Sequence, residues 1–231
     1  MHAWSATIHE LLRYLEGIGF PYSPRVLGID AEGREVLSYI DGESGSEGWS
    51  RVVDESGLAA MARLLRDYHT AVRGFRPAGA TGWAAHTGPV QVGELVCHGD
   101  FAPWNLVWRG TQPVGILDWD YAWPTRPIHD VAYALEYVAP FRDDSDCVRW
   151  LRYPEPPHRR QRLERFAEAY GLTSTHGLVD EVINQQELVC DRARQLAAEG
   201  RQPQAWWQAS GYLDQIAERI RWSRTHRHLF E

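Results

Sequence analysis

The sequence contains 231 residues, of which 44% are hydrophobic, and it carries a formal net charge of −7. This apolar content is sufficient for one large domain or for a small lobe joined to a larger one. The acidic balance, with no basic tract standing clear of acidic neighbours, argues against a nucleic-acid-binding surface.

Cysteine content and hydropathy predict a protein of the reduced cytoplasm. Cys97, Cys147 and Cys190 show no metal-ligand spacing, and an odd number of cysteines is more typical of cytosolic than of secreted proteins. The first residues lack the basic and apolar regions of a signal peptide. No apolar run approaches the roughly 20 residues that a membrane helix requires. We therefore expect a soluble cytoplasmic protein with no membrane partner.

The first forty residues predict a helix followed by a β-hairpin. Ser5 is placed to cap a helix that continues to about Glu16, because apolar residues recur on one helical face as far as Leu15. Residues 25–30 and 35–40 then have the composition of two strands around a polar turn.

The rest of the chain predicts one more hairpin and then mainly helices. A Gly- and Ser-rich stretch over 41–50 indicates a linker. The predicted elements after it are a helix over 55–73, a loop-like segment over 74–93, a strand over 95–97, a hairpin of 106–108 and 114–117 around the turn 109–113, and helices over 128–139, 159–170, 178–199 and 204–222. Strands early and helices late indicate the α+β class.

Three polar residues around the second hairpin carry the chemistry. Asp100 follows the predicted buried strand, Asn105 comes five positions later, and Asp118 comes thirteen positions after Asn105. The loop is therefore expected to aim a carboxylate outward, with an amide beside it and a second carboxylate returned by the hairpin. Two oxygen ligands for Mg²⁺ and one free base are what phosphoryl transfer from a nucleotide requires, because that chemistry is mostly positioning and charge neutralisation.

This pattern resembles the aminoglycoside phosphotransferase family, whose hallmark is H-G-D-x-x-x-x-N followed by I-D-W/F-D/E. Here the first motif is His98-Gly99-Asp100-Phe101-Ala102-Pro103-Trp104-Asn105, and the second is Ile116-Leu117-Asp118-Trp119-Asp120. Further similarity lies in the segments 24–28, 36–42 and 128–133. The resemblance implies a small-molecule O-phosphotransferase that uses Mg·ATP or Mg·GTP.

The resemblance also implies a fold. It predicts a protein-kinase-like two-lobed α+β fold, with a truncated N-terminal lobe over 1–41, a hinge near 38–44, and a mainly helical C-terminal catalytic and substrate lobe over 42–231. In the hinge, the backbone of Ser38, Tyr39 and Ile40 is expected to meet the adenine of the nucleotide.

The family pattern assigns a role to each site residue. Asp100 is the expected base for the acceptor hydroxyl, and Asn105 and Asp118 are the expected Mg²⁺ ligands. Asp120 is secondary, either holding an outer-shell water or facing solvent. Three residues are expected to support the loop without reacting: His98, Gly99 and Asp130.

The acceptor is expected to be a small molecule with a hydroxyl group. Four acidic residues follow in the region that admits it in such enzymes: Glu136, Asp143, Asp144 and Asp146. A cationic acceptor is one interpretation of them, and a solvated acidic face is the other.

The chain departs from the family pattern at its beginning. A Gly-rich turn over the phosphates and a strand carrying a Lys are expected there and are not found; Glu10 is the nearest acid to the position of the usual ion-pair partner. A start some 30 residues late, weak nucleotide binding by a complete chain, and a degenerate relative are the three explanations. The alternative function is therefore a nucleotide-binding pseudoenzyme. A metal-dependent phosphohydrolase, using His98, His129, Asp130 and Asp118 as ligands, is a third hypothesis.

Overall fold

The computed structural model describes residues 4–78, 82–84 and 89–231. Helix α1 (Ser5–Gly17) leads into a hairpin of β1 (Val26–Ile29) and β2 (Glu35–Leu37). Helices α2 (Gly48–Val53) and α3 (Glu55–Ala71) follow, and then strands β3 (Leu95–Cys97), β4 (Leu106–Arg109), β5 (Gln112–Ile116) and β6 (Trp123–Thr125). The remaining helices are α4 (Ile128–Val138), α5 (Asp144–Arg149), α6 (Arg159–Tyr170), α7 (Leu178–Ala198), α8 (Gln204–Ala209) and α9 (Tyr212–Thr225).

The strands of the described residues form three separate antiparallel pairs: β1 with β2, β3 with β6, and β4 with β5. In the last pair Leu106 lies opposite Ile116, so the two ends of the hairpin are close together. The predicted five-residue turn is tighter than expected, because Arg109 already pairs with Gln112. Short strands among many helices confirm the α+β class.

One continuous hydrophobic core joins the early helices to the later ones. In α1 the apolar positions Ile8, Leu11 and Leu15 are buried, as their helical spacing predicts. They share this core with Leu58 of α3 and Val131 of α4. The strand β3 is buried along its whole length within the same core. The segment that leaves β3 therefore starts from a fixed position.

Several predicted boundaries differ in the structure. Ser5 is the first residue of α1, after Trp4, and not its cap. The helix predicted over 204–222 is two helices, because Gly211 takes a φ of +76° that a continuous helix does not allow. Helix α2 begins inside the predicted linker, and α5 and β6 were not predicted. Part of the predicted loop over 74–93 lies outside the described residues, namely 79–81 and 85–88.

In the described ranges, no helix is both long enough and apolar enough to cross a bilayer.

Candidate active site

The loop after β3 and the end of the β4–β5 hairpin meet at one place. The backbone N–H of Leu117 donates a hydrogen bond of 2.8 Å to the carbonyl oxygen of Asn105. This bond fixes the residue before Asp118 against the end of the loop that carries Asp100. The structure therefore brings the three chemistry-bearing residues of the sequence motif together.

Asp100 is held on both carboxylate oxygens. The amide nitrogen of Asn105 donates to its Oδ2 at 2.7 Å and to its backbone carbonyl at 2.9 Å. The Tyr133 hydroxyl, from α4, donates a short hydrogen bond to Oδ1. Burial raises the pKa of Asp100 above its ordinary value of 3.8, and the hydrogen bonds from Tyr133 and Asn105 only partly offset this effect. The side chain is thus oriented and more basic than an exposed aspartate.

Asn105 and Asp118 present oxygen atoms that fit a hard cation. Because both hydrogen bonds from the Asn105 side chain use its nitrogen, its amide oxygen is the atom left for a ligand. Asp118 is exposed and has φ +57° and ψ +68°, a left-handed conformation that is rare for a residue with a side chain. Such backbone strain concentrates at functional sites. Amide and carboxylate oxygens are suitable ligands for Mg²⁺.

His98 connects the two halves of the site. Its ring is fully buried, and Nε2 lies 2.9 Å from the carbonyl oxygen of Leu117, to which it donates. Nδ1 is then the acceptor for the backbone N–H of Asp100 at 3.3 Å. Since each ring nitrogen has its own protein partner, His98 supports the loop and is not placed to react.

Asp130 anchors the loop from α4. Its fully buried carboxylate accepts hydrogen bonds from the backbone N–H of His98 at 2.7 Å and of Gly99 at 2.8 Å. His69 of α3 donates a third bond from Nε2 at 3.1 Å. Burial opposes ionisation of Asp130, but the hydrogen bond from His69 and the other histidines around the carboxylate outweigh it, so the pKa of this carboxyl lies below its ordinary value.

Sequence reasoning missed three supporting side chains. His69 accepts a hydrogen bond on Nδ1 from the Tyr170 hydroxyl of α6 at 2.7 Å, which orients its other nitrogen toward Asp130. No short-range spacing indicates this contact, because it joins residues 101 positions apart. Tyr133, by contrast, lies three positions after Asp130 on the same helix, so its position on the same helical face was readable from the sequence.

Gly99 is the position in the loop where a side chain is least tolerable. Its φ is +80°, and an added Cβ would lie 2.1 Å from the carbonyl oxygen of Tyr121. Replacing Gly99 with Ala is expected to lower the free energy of unfolding by at least about 1–3 kcal/mol from backbone strain alone. Urea unfolding measures this loss. The matched variant Gly17→Ala, whose Cβ would meet nothing within 4 Å, is expected to unfold like the wild type.

The segment expected to meet adenine runs alongside the β4–β5 hairpin. The N–H of Ser38 donates to the carbonyl of Arg25 at 2.8 Å, and its hydroxyl accepts from the N–H of Arg25. Tyr39 is 82% exposed, and Ile40 packs beside Gly115 of β5. The backbone N–H of Ser38 is therefore already hydrogen-bonded within the protein. Tyr39 and Ile40 are the next two residues of the segment.

The remaining acidic residues separate into different environments. Glu136 is buried, so it is not part of the solvated acidic face that was one interpretation of these residues. Asp143 caps α5 by accepting from the N–H of Asp146 at 3.0 Å, and the exposed Asp144 pairs with Arg159 at 2.8 Å. Asp120 is half-buried in the single turn that follows Asp118.

The ligand set of a metal-dependent phosphohydrolase is not assembled. Within the described residues, the group close enough to share a metal ion is His69, Cys97 and Asp130, all buried. The Asp130 oxygen of this group already accepts hydrogen bonds from His69 and from the N–H of His98 in the loop. His129 instead packs edge-on against Trp123, and its pKa is lowered by burial.

Asp100, the residue expected to act as the base, lies at a cleft. Asp100 lines a cavity of about 430 Å³ whose wall includes six aromatic side chains, Trp49, Trp104 and Trp207 among them. It also lines a smaller cavity of about 200 Å³. Asp100 borders both, so a molecule bound in this cleft can reach its carboxylate.

Comparison with known proteins identifies what this arrangement is similar to. The sequence profile described as the phosphotransferase enzyme family matches residues 82–164. The Trifolitoxin immunity protein of Rhizobium leguminosarum bv. trifolii is 35% identical over 188 residues, which are 78% of this chain and 70% of that protein.

Solved structures with the same fold are much more distant in sequence. An amicoumacin kinase in complex with AMP-PNP, Ca²⁺ and Ami has a TM-score of 0.62 at 12% identity, over 95% of this chain and 78% of that one. The GDP complex of aminoglycoside 2'-phosphotransferase-IIIa has a TM-score of 0.56 at 14% identity, over 95% and 81% of the two chains. At such identities the likeness establishes the protein-kinase-like fold, which confirms the fold predicted from the motifs.

Proposed function

Because this chain belongs to the phosphotransferase enzyme family, we propose that it transfers the γ-phosphoryl group of Mg·ATP or Mg·GTP to a hydroxyl of a small molecule. The family itself was predicted from the loop and hairpin motifs, and that prediction is confirmed. The observation that carries the finer proposal is the grouping of three residues beside the cleft. Asn105 donates to Asp100, which lines the cleft, and the N–H of Leu117, the residue before Asp118, donates to the carbonyl of Asn105.

Asp100 acts as the base in this proposal. Asn105 holds its Oδ2, so Oδ1 is the atom that receives the acceptor's proton. The Tyr133 hydroxyl, which now donates to Oδ1, occupies the position expected for the acceptor hydroxyl. An acceptor that replaces Tyr133 there is held in line for attack, and such positioning is the main contribution a protein makes to phosphoryl transfer.

Asn105 and Asp118 would hold the Mg²⁺ ion. Bound there, the ion neutralises charge on the β- and γ-phosphates of the nucleotide. The strained backbone of Asp118 and the hydrogen-bonded amide of Asn105 orient the two ligand oxygens before binding, so less ordering is required when the nucleotide arrives.

The nucleotide would lie between the proposed lobes, 1–41 and 42–231, with its base against the hinge segment Ser38, Tyr39 and Ile40. These 231 residues contain no lysine, so a side-chain cation that they place on the phosphates is an arginine or a histidine. Use of ATP or GTP as donor is consistent with the cytoplasmic location proposed from the sequence. The name of the rhizobial relative supports a protective role, in which a toxic hydroxyl compound is modified.

A nucleotide-binding pseudoenzyme is the less favoured alternative. Asp100 has no role in holding the nucleotide, yet it is oriented on both oxygens and its pKa is raised. A perturbed pKa at a cleft is what a general base requires. A cationic acceptor also stays among the proposals, since Glu136 lines the cleft beside Asp100.

Nucleotide binding tests the metal ligands directly. Calorimetric titration is expected to give a Kd for Mg·ATP or Mg·GTP within about 1 μM to 1 mM. Asp118→Ala should weaken that binding about 10–100-fold, because an oxygen ligand of the ion is lost. Asp180→Ala, which removes an exposed carboxylate paired with Arg227, is the control and should bind as the wild type does. Equal binding by wild type and Asp118→Ala, or binding unaffected by removal of Mg²⁺, would contradict the assignment.

The pH dependence of the reaction tests the base. Since Asp100 must be ionised to accept a proton and its pKa is raised, kcat/KM is expected to increase with pH through that raised pKa and to level off above it. Tyr133 lowers the pKa of Asp100 through its hydrogen bond, so Tyr133→Phe should move this acidic limb to higher pH. Tyr14→Phe, which loses a bond to Ala71 only, should leave the limb in place. If the acidic limb of the kcat/KM profile lies at the wild-type pH in both variants, Asp100 is not the base.

A further inference from the structure

The Tyr133 hydroxyl is bonded to the proposed base in the free protein. It donates a short hydrogen bond to Oδ1 of Asp100, the oxygen that the proposed function assigns to the acceptor's proton. The amide nitrogen of Asn105 donates to Oδ2 of the same carboxylate at 2.7 Å. Both oxygens of Asp100 are therefore engaged before any ligand arrives, and Tyr133 engages the one on which the reaction depends.

Helix α4 determines the position of this hydroxyl. Asp130 lies three positions earlier on α4 and accepts from two backbone N–H groups of the loop that carries Asp100. The helix and the loop are therefore joined within one helical turn of Tyr133. The Tyr133 side chain is 8% exposed, and its ring packs edge-on against the ring of Tyr137 with 5.4 Å between the centroids. The fold itself, and not a ligand, thus places the hydroxyl on Asp100.

The surroundings of Asp100 have room for water. Asp100 and Tyr133 both line the cavity of about 430 Å³ and the cavity of about 200 Å³. One water molecule requires only about 10–15 Å³ of such volume. Water can therefore lie beside the carboxylate of Asp100 when no acceptor fills the cleft.

A base that activates a hydroxyl group can activate water in the same way. In that reaction the water oxygen bonds to the γ-phosphorus, and the bond from this phosphorus to the β–γ bridging oxygen breaks. The water proton goes to Oδ1 of Asp100, and a nucleoside diphosphate and inorganic phosphate leave. Enzymes prevent such side reactions by keeping water away from the reacting groups. A phosphotransferase with an empty cleft therefore needs a device that protects its bound nucleotide.

We propose that Tyr133 is a positioning residue that suppresses hydrolysis of Mg·ATP or Mg·GTP while no acceptor is bound, because its hydroxyl fills the place on Asp100 that an activated water would take. An acceptor displaces this hydroxyl with the binding energy of its other contacts in the cleft, which a single water lacks. Burial, with Tyr137 and Asp100 nearby, raises the pKa of Tyr133 well above its ordinary value, so the phenol keeps its proton and stays a donor. The inference rests on the proposed function.

Release of inorganic phosphate without an acceptor tests the proposal, with Mg·ATP and Mg·GTP each added to the full chain. Tyr133→Phe and Tyr133→Leu are expected to release phosphate about 10–100-fold faster than the wild type, because water no longer has to displace a hydrogen bond to a charged group. A variant that is only destabilised would lose activity and not gain it. Tyr153→Phe is the matched control and should hydrolyse like the wild type. Tyr153 is 5% exposed, donates to the carbonyl of Val138 at 3.3 Å and lines neither cavity at Asp100.

A double variant separates this inference from the proposed function. Tyr133→Phe combined with Asp100→Asn should hydrolyse no faster than the wild type, because the gain requires the base. A gain that persists in the double variant would overturn Asp100 as the base and, with it, the mechanism given for Tyr133. Equal phosphate release by the wild type, Tyr133→Phe and Tyr133→Leu would overturn the inference alone, since the role of Asp100 is measured separately in transfer kinetics.

Mass spectrometry of the wild-type protein after incubation with Mg·ATP or Mg·GTP checks the fate of the hydroxyl. We expect Tyr133 to be unmodified. A phosphoryl group on Tyr133 would overturn the inference, because the hydroxyl would then be an acceptor in its own right and not a block against water.

Discussion

Replacement of Asp100 with Asn is expected to lower kcat by about 10²–10⁴-fold, the usual contribution of a general base. Asn has the same shape but cannot take the acceptor's proton at Oδ1, where the Tyr133 hydroxyl donates in the free protein. Because Asp100 is not a proposed ligand of the nucleotide or its metal, the Kd for Mg·ATP or Mg·GTP should change little. Single-turnover kinetics with an accepted substrate and calorimetry with the nucleotide alone measure the two quantities separately.

The control for this variant is Asp67→Asn. Asp67 is exposed and pairs only weakly with Arg66 next to it, so its loss should affect neither rate nor affinity. Turnover of the Asp100→Asn protein at the wild-type rate would remove Asp100 from the mechanism. A parallel loss of nucleotide binding would show that Asp100 holds the nucleotide or the loop, and not the proton.

Replacement of Asp130 with Asn is expected to lower the free energy of unfolding by about 3 kcal/mol. The buried carboxylate accepts hydrogen bonds from two backbone N–H groups of the loop and from the side chain of His69. Asn offers one oxygen and turns an NH₂ group toward donors, so at least one buried donor loses its partner. Urea unfolding at neutral pH measures the loss, and Asp180→Asn at an exposed ion pair should cost less than about 1 kcal/mol.

The pH dependence of the free energy of unfolding tests whether the charge of Asp130 accounts for the difference between wild type and Asp130→Asn. The pKa of Asp130 is depressed in the folded protein, so its ionised form contributes stability above the unfolded pKa of about 3.9. That contribution is lost as the pH falls through the folded pKa. The difference in the free energy of unfolding between wild type and Asp130→Asn should therefore stay constant from about pH 5 to neutrality and decrease below about pH 4. A gap that does not change with acid would mean that the charge of Asp130 is not what stabilises the loop.

Local spacing was sufficient to predict that three residues of the candidate site lie together. Asp100, Asn105 and Asp118 lie on one short strand–loop–hairpin unit, so their distances along the chain determine their distances in space. The tight pairing of Leu106 with Ile116 is the physical reason, since it returns the chain to its starting point within a few residues.

The supports of the loop were beyond sequence reasoning because they come from packing. Tyr170 of α6 bonds His69 of α3, and His69 bonds Asp130 of α4. These contacts form only when the three helices pack together, and no local pattern specifies them. The break at Gly211 was missed for a different reason. The apolar stripe from Trp206 to Ile220 continues across it, although Trp206 is 63% exposed in the structure. Periodicity records which residues are apolar, and it does not record whether the backbone between them stays helical.

The hydrogen bonds to Asp100 and Asp130 come from α3, α4 and the loop itself, whereas Gln186, Trp207 and Tyr212, which line the cleft, belong to α7, α8 and α9. Substitutions in the last third of the chain can therefore alter the shape of the cleft without loosening the residues around Asp100. Such a division lets descendants of one ancestral gene diverge in the compounds they recognise while inheriting the same reaction. Comparison of paralogues should show their differences concentrated in these three helices.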